Sequence, residues 1–177
     1  MRIKGFAVAL VTVAALTGCA QSNVGALDIS ATEVTSSRVE SQEAPRYTKV
    51  IALANGSAEI IDSLGLKSIL IGRDIASTEP ALESVPVVTS GHQVVAEKII
   101  ALNPDLVIID SSVGPMQAIA SLEKAGIKVA RINEVWTVDG ISKKVVEVAS
   151  LLGVSATGEE LAALIDSTIA TASKKVQ

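Results

Sequence analysis

The chain has 177 residues, of which 19 are acidic and 15 are basic, and its formal net charge at pH 7 is −4. An acidic chain without a block of basic residues does not suit a phosphate backbone, so we expect no nucleic-acid partner. Cys19 is the single cysteine, and therefore no disulfide can form within the chain.

The first residues carry the pattern of a secretory signal. Arg2 and Lys4 precede an apolar run over residues 6–15, and small residues lead up to Cys19. A positive start, an apolar centre and small residues before a cleavage point are typical of exported proteins. The alternative is a short transmembrane anchor, but the run is shorter than the roughly 20 apolar residues that a spanning helix needs. We therefore expect the chain to work outside the cytoplasm.

The residues at the predicted cleavage point, Leu16-Thr17-Gly18-Cys19, resemble the lipobox of bacterial lipoproteins. The resemblance implies that residues 1–18 are a signal peptide and that the Cys19 sulfur receives a lipid. The mature protein would then be lipid-anchored at the extracytoplasmic face of the cell membrane. A modified sulfur also leaves no thiol to act as a nucleophile or a metal ligand.

Residues 19–46 are predicted to be a flexible linker, because they are rich in small polar residues and show neither a helical nor a strand period. Such a segment buries too little apolar surface to offset its ordering entropy. The residues that follow, 47–155, are enough for one domain with one core.

Short apolar runs recur from residue 49 onward. They are rich in isoleucine and valine and mostly do not alternate with polar residues, which is typical of parallel strands buried on both faces. The runs are residues 50–53, 69–71, 106–109 and 129–132, with 86–88 as a weaker candidate.

Helical segments alternate with these strands. The first has Asn55 or Ser57 as a candidate N-cap and is followed by Gly65. The others are predicted at residues 94–102, 115–126, 141–152 and 161–177, the last with Leu161, Leu164, Ile165 and Ile169 on one face. This alternation predicts an α/β fold, a Rossmann-like lobe with a mainly parallel sheet flanked by helices.

Sequence motifs for catalysis are missing. There is no G-x-x-x-x-G-K-[ST] loop, no G-x-G-x-x-G after a strand and no G-x-S-x-G elbow. His92 is the only histidine, and no serine is marked as a nucleophile for it. We therefore expect that the chain is not an enzyme.

Three stretches resemble a known family. Residues 49–65, K-V-I-A-L-A-N-G-S-A-E-I-I-D-S-L-G, are similar to the opening of a substrate-binding lipoprotein of an iron-compound ABC importer, and residues 71–74 and 98–108 continue the match. Such proteins take up haem, ferric siderophores or cobalamin. The likeness to haemin-binding members rests on residues 72–74 and 89–92.

Members of this family have two α/β lobes joined by a long helix, with the ligand held between them. The resemblance implies that residues 47–155 are the N-terminal lobe of a class III periplasmic binding protein. Residues 156–177 resemble the start of the inter-lobe helix, and the second lobe is missing from the sequence. We expect either a truncated protein or a single lobe with a separate role.

His92 is the candidate metal ligand. It lies between the possible strand at 86–88 and the helix that begins near residue 94, where a loop at the carboxyl ends of parallel strands faces a ligand cleft. A neutral imidazole is a good iron ligand, and the resemblance implies that His92 binds haem iron. The alternative is an ordinary histidine of a surface loop.

Three further residues are candidates for binding roles that the resemblance implies. Arg73 would pair with a haem propionate, the alternatives being a salt bridge with Asp74 or plain solvation. Glu59 would dock onto arginines of the permease, although an acid in a first helical turn is also explained by the helix dipole. Trp136 either stacks on the ligand or packs against the fourth helix.

The sequence thus predicts a membrane-tethered solute-binding component of an ABC importer, which captures haemin as a transported ligand and delivers it to a permease. The alternative ligands are a ferric siderophore or cobalamin. A different alternative is a truncated lobe that acts only as an interaction module.

Overall fold

The computed structural model describes Val39 and residues 42–91 and 93–176. Two predicted site residues, the lipidation site Cys19 and the haem ligand His92, lie outside the described residues.

Six short strands are described, and four of them form one parallel sheet. The strands are β1 (Val50–Ala52), β2 (Leu70–Arg73), β3 (Thr89–Ser90), β4 (Gln93–Val94), β5 (Leu106–Ile109) and β6 (Val129–Arg131). The sheet has the order β2-β1-β5-β6, and Val50 of β1 pairs with Leu70 on one side and Leu106 on the other. β3 and β4 form a separate antiparallel pair.

The parallel sheet confirms the predicted fold class, because each of the four strong apolar runs overlaps one of its strands. The weaker candidate at residues 86–88 is not a strand. Val87 makes only an isolated parallel bridge with Arg73, next to the edge of the sheet.

Within the described residues, five helices flank the sheet. They are α1 (Ser57–Ser63), α2 (Ala96–Leu102), α3 (Met116–Lys124), α4 (Ile141–Leu152) and α5 (Ser155–Val176). The predicted side-chain cap of the first helix was wrong, because its N-cap is Gly56 with φ of 73° and no side chain caps the helix. A left-handed residue at this sharp strand-to-helix turn favours glycine. None of the helices in the described ranges is long and apolar enough to cross a membrane.

The core consists of two layers, one on each face of the sheet. Val50, Ala52 and Ile108 face the layer of α1, α4 and α5, whereas Ile51 and Val107 face the layer of α2 and α3. Successive residues of a strand point to opposite faces, and here both faces are buried. This explains why the strands read as continuous apolar runs rather than as alternating ones.

The last helix, α5, packs against α4 through its first turns. Leu161 is fully buried and Ile165 contacts the core, so these two residues of the predicted apolar face have partners. Leu164 is 37 % exposed.

The end of the predicted linker makes specific contacts with the lobe. Val39 donates its N–H to the Ser63 carbonyl at 2.9 Å, and Arg46 donates its N–H to the Leu152 carbonyl at 2.7 Å. A Glu43 oxygen accepts the N–H of Thr157, near the start of α5, at 3.3 Å. Contacts with the folded lobe thus begin before the predicted domain boundary at residue 47, which stays a prediction.

Candidate functional site

A cavity of about 220 Å³ lies at the carboxyl ends of the parallel strands, and we call it the cleft. Its lining residues come from the segments that follow β1, β2, β5 and β6, and from β3. They are Leu53, Asn55, Asp74, Thr89, Ser112, Val113, Glu134 and Trp136. In open α/β sheets this is the edge at which ligands bind.

The cleft lining combines apolar groups with neutral polar and acidic ones. Trp136 is 81 % exposed, so it forms part of the rim and does not pack in the core. Asp74 and Glu134 supply two carboxylates, and no lysine or arginine is among the lining residues. A flat ring at the rim and apolar groups below it suit a largely apolar ligand.

The buried carboxylate of Asp110 organises the floor of the cleft. It accepts the N–H of Asn55 at 3.0 Å, the N–H of Ser112 at 3.1 Å and the Ser112 hydroxyl at 2.5 Å. The side chain of Asp110 has no exposed surface. One buried acid therefore holds together two loops that line the cleft, those after β1 and β5.

Lys144 of α4 supplies the positive charge opposite this acid. Its Nζ lies 3.7 Å from Asp110 Oδ2 and donates to the Asn55 carbonyl at 2.6 Å. Buried charges occur in pairs because an isolated one costs several kcal/mol of desolvation. This pair was not among the residues predicted from the sequence. The available signal was a lysine on the apolar stripe of α4, one position before Val145 and four before Val148.

Arg73 does not line the cleft. Its guanidinium donates from Nε to the carbonyls of Leu82 and Val85, at 3.0 and 2.9 Å, and from Nη1 to the carbonyl of Ser77 at 2.7 Å. Its contact with Asp74 is a long hydrogen bond to the backbone carbonyl, at 3.5 Å. These contacts favour a role in holding the loop after β2, and the predicted contact with a propionate stays a prediction.

Glu59 lies in the first turn of α1 and is half-buried. Its Oε2 accepts the hydroxyl of Ser77 at 3.2 Å. Ser77 itself is only 5 % exposed, so this contact is sheltered from water.

The neighbours of His92 are described, although His92 is not. Thr89 pairs with Val94, and Ser90 pairs with Gln93, so the segments before and after residue 92 form an antiparallel pair. Thr89 lines the cleft.

The amino ends of the strands carry a separate set of polar contacts. A hydrogen bond from Lys128 lowers the pKa of the Tyr47 phenol. Hydrogen bonds from the hydroxyl and the N–H of Thr48 lower the pKa of the Asp105 carboxyl. These groups lie at the edge of the sheet opposite the cleft. Thr48 and Asp105 tie the start of β1 to the start of β5, and Tyr47 and Lys128 tie it to the start of β6.

No cluster of three or more histidine, cysteine, aspartate or glutamate side chains that could hold a metal ion occurs within residues 42–91 and 93–176.

A parallel α/β lobe with an open cleft at the carboxyl ends of its strands defines a ligand-binding lobe. The chain belongs to the periplasmic binding protein family, whose model matches residues 50–177. The family comprises extracytoplasmic binding proteins, so the predicted resemblance is confirmed.

Solved structures of haem-binding proteins are similar to this chain. The haem-binding protein HmuT is 36 % identical over 65 % of this chain and 38 % of its own, with a TM-score of 0.62. The periplasmic haem-binding protein RhuT from Roseiflexus sp. RS-1 is 32 % identical over 70 % of this chain and 48 % of its own, with a TM-score of 0.65. The periplasmic haem-binding protein BhuT, solved in complex with two haems, is 30 % identical over 62 % of this chain and 43 % of its own, with a TM-score of 0.56.

The chain spans less than half of the length of each of these proteins. A comparison with curated proteins gave no match.

Proposed function

We propose that this protein is the solute-binding component of an ABC importer, that it captures haemin in the cleft and that it delivers haemin to a permease. The observation that carries the proposal is the identity to two haem-binding proteins, 36 % to HmuT and 32 % to RhuT, over a lobe whose cleft lies at the ligand-binding edge of the sheet. A lipid on Cys19 would tether the protein to the extracytoplasmic face of the membrane.

The proposal gives each candidate residue a role. His92 ligates the haem iron through its imidazole, and Trp136 stacks on the porphyrin from the rim of the cleft. Glu59 docks onto the permease from the first turn of α1. Arg73 shapes the cleft through the loop that carries Asp74, and a propionate contact is its second candidate role.

The experiment is an absorption titration of the full chain with haemin, for the wild type and for the His92→Ala variant. Iron–imidazole coordination gives a distinct band, and His92 is the only histidine in the sequence. We expect the wild type to show the band and His92→Ala to lose it. Gln93→Ala, a change at the exposed neighbouring side chain, is the matched control and should keep the band.

An identical spectrum and affinity in the His92→Ala variant would show that this histidine is an ordinary surface residue. The same titration with a ferric siderophore and with cobalamin separates the alternative ligands. If none of the three compounds binds, the remaining function is that of an interaction module.

A further inference from the structure

The loop that follows β2, residues 74–85, connects the cleft to the surface of Glu59. At its start, Asp74 lines the cleft, and Ile75 donates its N–H to the Thr89 hydroxyl at 3.1 Å. Thr89 is itself a lining residue. A ligand in the cleft therefore touches the first residues of this loop or the side chain that holds them.

Arg73 determines the path of the loop. Three carbonyls, those of Ser77, Leu82 and Val85, converge on its guanidinium at 2.7, 3.0 and 2.9 Å. The Leu82 carbonyl also accepts the Val85 N–H at 2.9 Å, so removal of the guanidinium would take this donor chiefly from the sheltered carbonyls of Ser77 and Val85. The planar fork of arginine suits convergent acceptors in a way that a lysine ammonium does not.

Ser77 links this loop to Glu59. Its carbonyl accepts from Arg73, its N–H donates to the Asp74 carbonyl at 3.3 Å, and its hydroxyl donates to Glu59 Oε2 at 3.2 Å. Because Ser77 is only 5 % exposed, water does not readily replace these bonds. The rotamer of Glu59 thus depends on where Arg73 holds Ser77.

We propose that Arg73 and Ser77 are positioning residues for Glu59, and that occupation of the cleft acts on the Glu59 carboxylate through the loop of residues 74–85. The second half of this inference rests on the proposed function, since it takes a porphyrin as the ligand. Through this link, the surface around Glu59 would differ between a lobe that holds a ligand and an empty lobe, and a permease that docks there could distinguish the two. The physical basis is a short path of hydrogen bonds and one peptide bond. The Thr89 hydroxyl holds Ile75, the neighbour of Asp74 in the chain; the Asp74 carbonyl accepts the Ser77 N–H, and the Ser77 hydroxyl donates to Glu59.

The test follows the carboxyl carbon of Glu59 by nuclear magnetic resonance in the full chain, with gallium(III) protoporphyrin IX as the probe. Gallium is diamagnetic and leaves the resonances sharp, whereas ferric iron broadens them. We expect the porphyrin to move the Glu59 signal in the wild type. In Ser77→Ala that movement should be lost, while the affinity measured by absorption is retained, because Ser77 does not line the cleft.

Spectra without ligand test the positioning role of Arg73 separately. In Arg73→Gln the free Glu59 signal should move in the direction seen in Ser77→Ala, because both changes release the same contact. Ser121→Ala is the control, since its hydroxyl bonds only the Gln117 carbonyl within α3, and it should leave the Glu59 signal unmoved.

Two results would overturn the inference. One is a ligand-induced movement of the Glu59 signal that survives in Ser77→Ala, and the other is a Glu59 signal in Arg73→Gln at its wild-type position. If the porphyrin does not bind at all, the haemin proposal and the ligand-dependent half of the inference fall. The ligand-free spectra still decide whether Arg73 positions Glu59.

Discussion

Lys144 and Asp110 are the residues on which the floor of the cleft depends. The side chain of Lys144 is 7 % exposed and that of Asp110 is not exposed at all. Asp110 accepts hydrogen bonds from the backbone N–H groups of Asn55 and Ser112, and Lys144 donates one to the Asn55 carbonyl. The pair thus joins a loop after β1, a loop after β5 and helix α4 at one point.

Replacing Lys144 by methionine should destabilise the protein by about 3–5 kcal/mol, because the change leaves a buried, unpaired carboxylate. Denaturant unfolding of the full chain measures this loss. The neighbouring Lys143 is exposed, so Lys143→Met is a matched control and should have little effect. Similar losses in the two variants would show that the buried pair has no special role.

Helices α4 and α5 cross closely, and small residues form the crossing. A Cβ added at Gly158 of α5 would lie 2.2 Å from the Cβ of Ala149 on α4, a distance at which the helices must separate. A hydroxyl of α4 strengthens the same interface, since Ser142 donates to the carboxylate of Asp166. The crossing is what aligns the start of α5 with the lobe.

The Gly158→Ala variant tests this crossing. Helix propensity alone would make alanine more favourable than glycine by about 1 kcal/mol. We expect the opposite sign, a loss of about 1–3 kcal/mol in the free energy of unfolding, because overpacking displaces α5 from α4. The double variant Ala149→Gly with Gly158→Ala makes room for the new methyl group and should recover part of the loss. A more stable Gly158→Ala variant would contradict the close packing.

At the scale of the whole molecule, the sheet separates two kinds of surface. The amino ends of its strands carry the hydrogen bonds of Asp105 and Tyr47, which close the lobe. The carboxyl ends carry the cleft, with Trp136 exposed on its rim. The polar groups at the first end join the start of β1 to those of β5 and β6, and several of those at the second end hold the loops that line the cleft.

The position of Trp136 allows a direct test of where haemin binds. Trp136 is the only tryptophan of the chain, so its fluorescence reports on the cleft without a background from other sites. Haemin bound in the cleft should quench most of this fluorescence by energy transfer over a short distance. The control is free tryptophan at the same haemin concentration, which corrects for absorption of light by haemin.

A haemin absorption shift without quenching of Trp136 would place the ligand outside the cleft. It would contradict the proposed site even if the protein binds haemin. The variant Trp136→Phe keeps an aromatic ring on the rim and should bind haemin with little loss, whereas Trp136→Ala should bind more weakly.

Several features of the fold could be predicted because they are local. Continuous Ile- and Val-rich runs such as residues 106–109 identify strands that are buried on both faces, and the stripe over residues 141–152 identifies α4. The alternation of these strands and helices was sufficient to predict a parallel α/β lobe. The helix cap at Asn55 or Ser57 was predicted wrongly, since Gly56 is the N-cap and Ser57 turns its hydroxyl back to the Ala54 carbonyl.

The site could be predicted only in part. Trp136 was a candidate because aromatic residues are rare in this chain, yet only its exposed position at the cleft decides against core packing. The engagement of Arg73 with three backbone carbonyls was not predictable, because no side-chain partner marks it in the sequence.

The sequence by itself determined the class of fold, the order along the chain of the four parallel strands and the five helices, and the likeness to a family of binding proteins, but not the short strands β3 and β4. These properties follow from hydrophobic periodicity and short motifs, which neighbouring residues encode. Only the tertiary structure decided that Lys144 meets Asn55 across 89 positions, and that Ser77 lies between Arg73 and Glu59. Packing of the two core layers brings such distant groups together, and in the low-polarity interior each buried charge or acceptor then needs its partner.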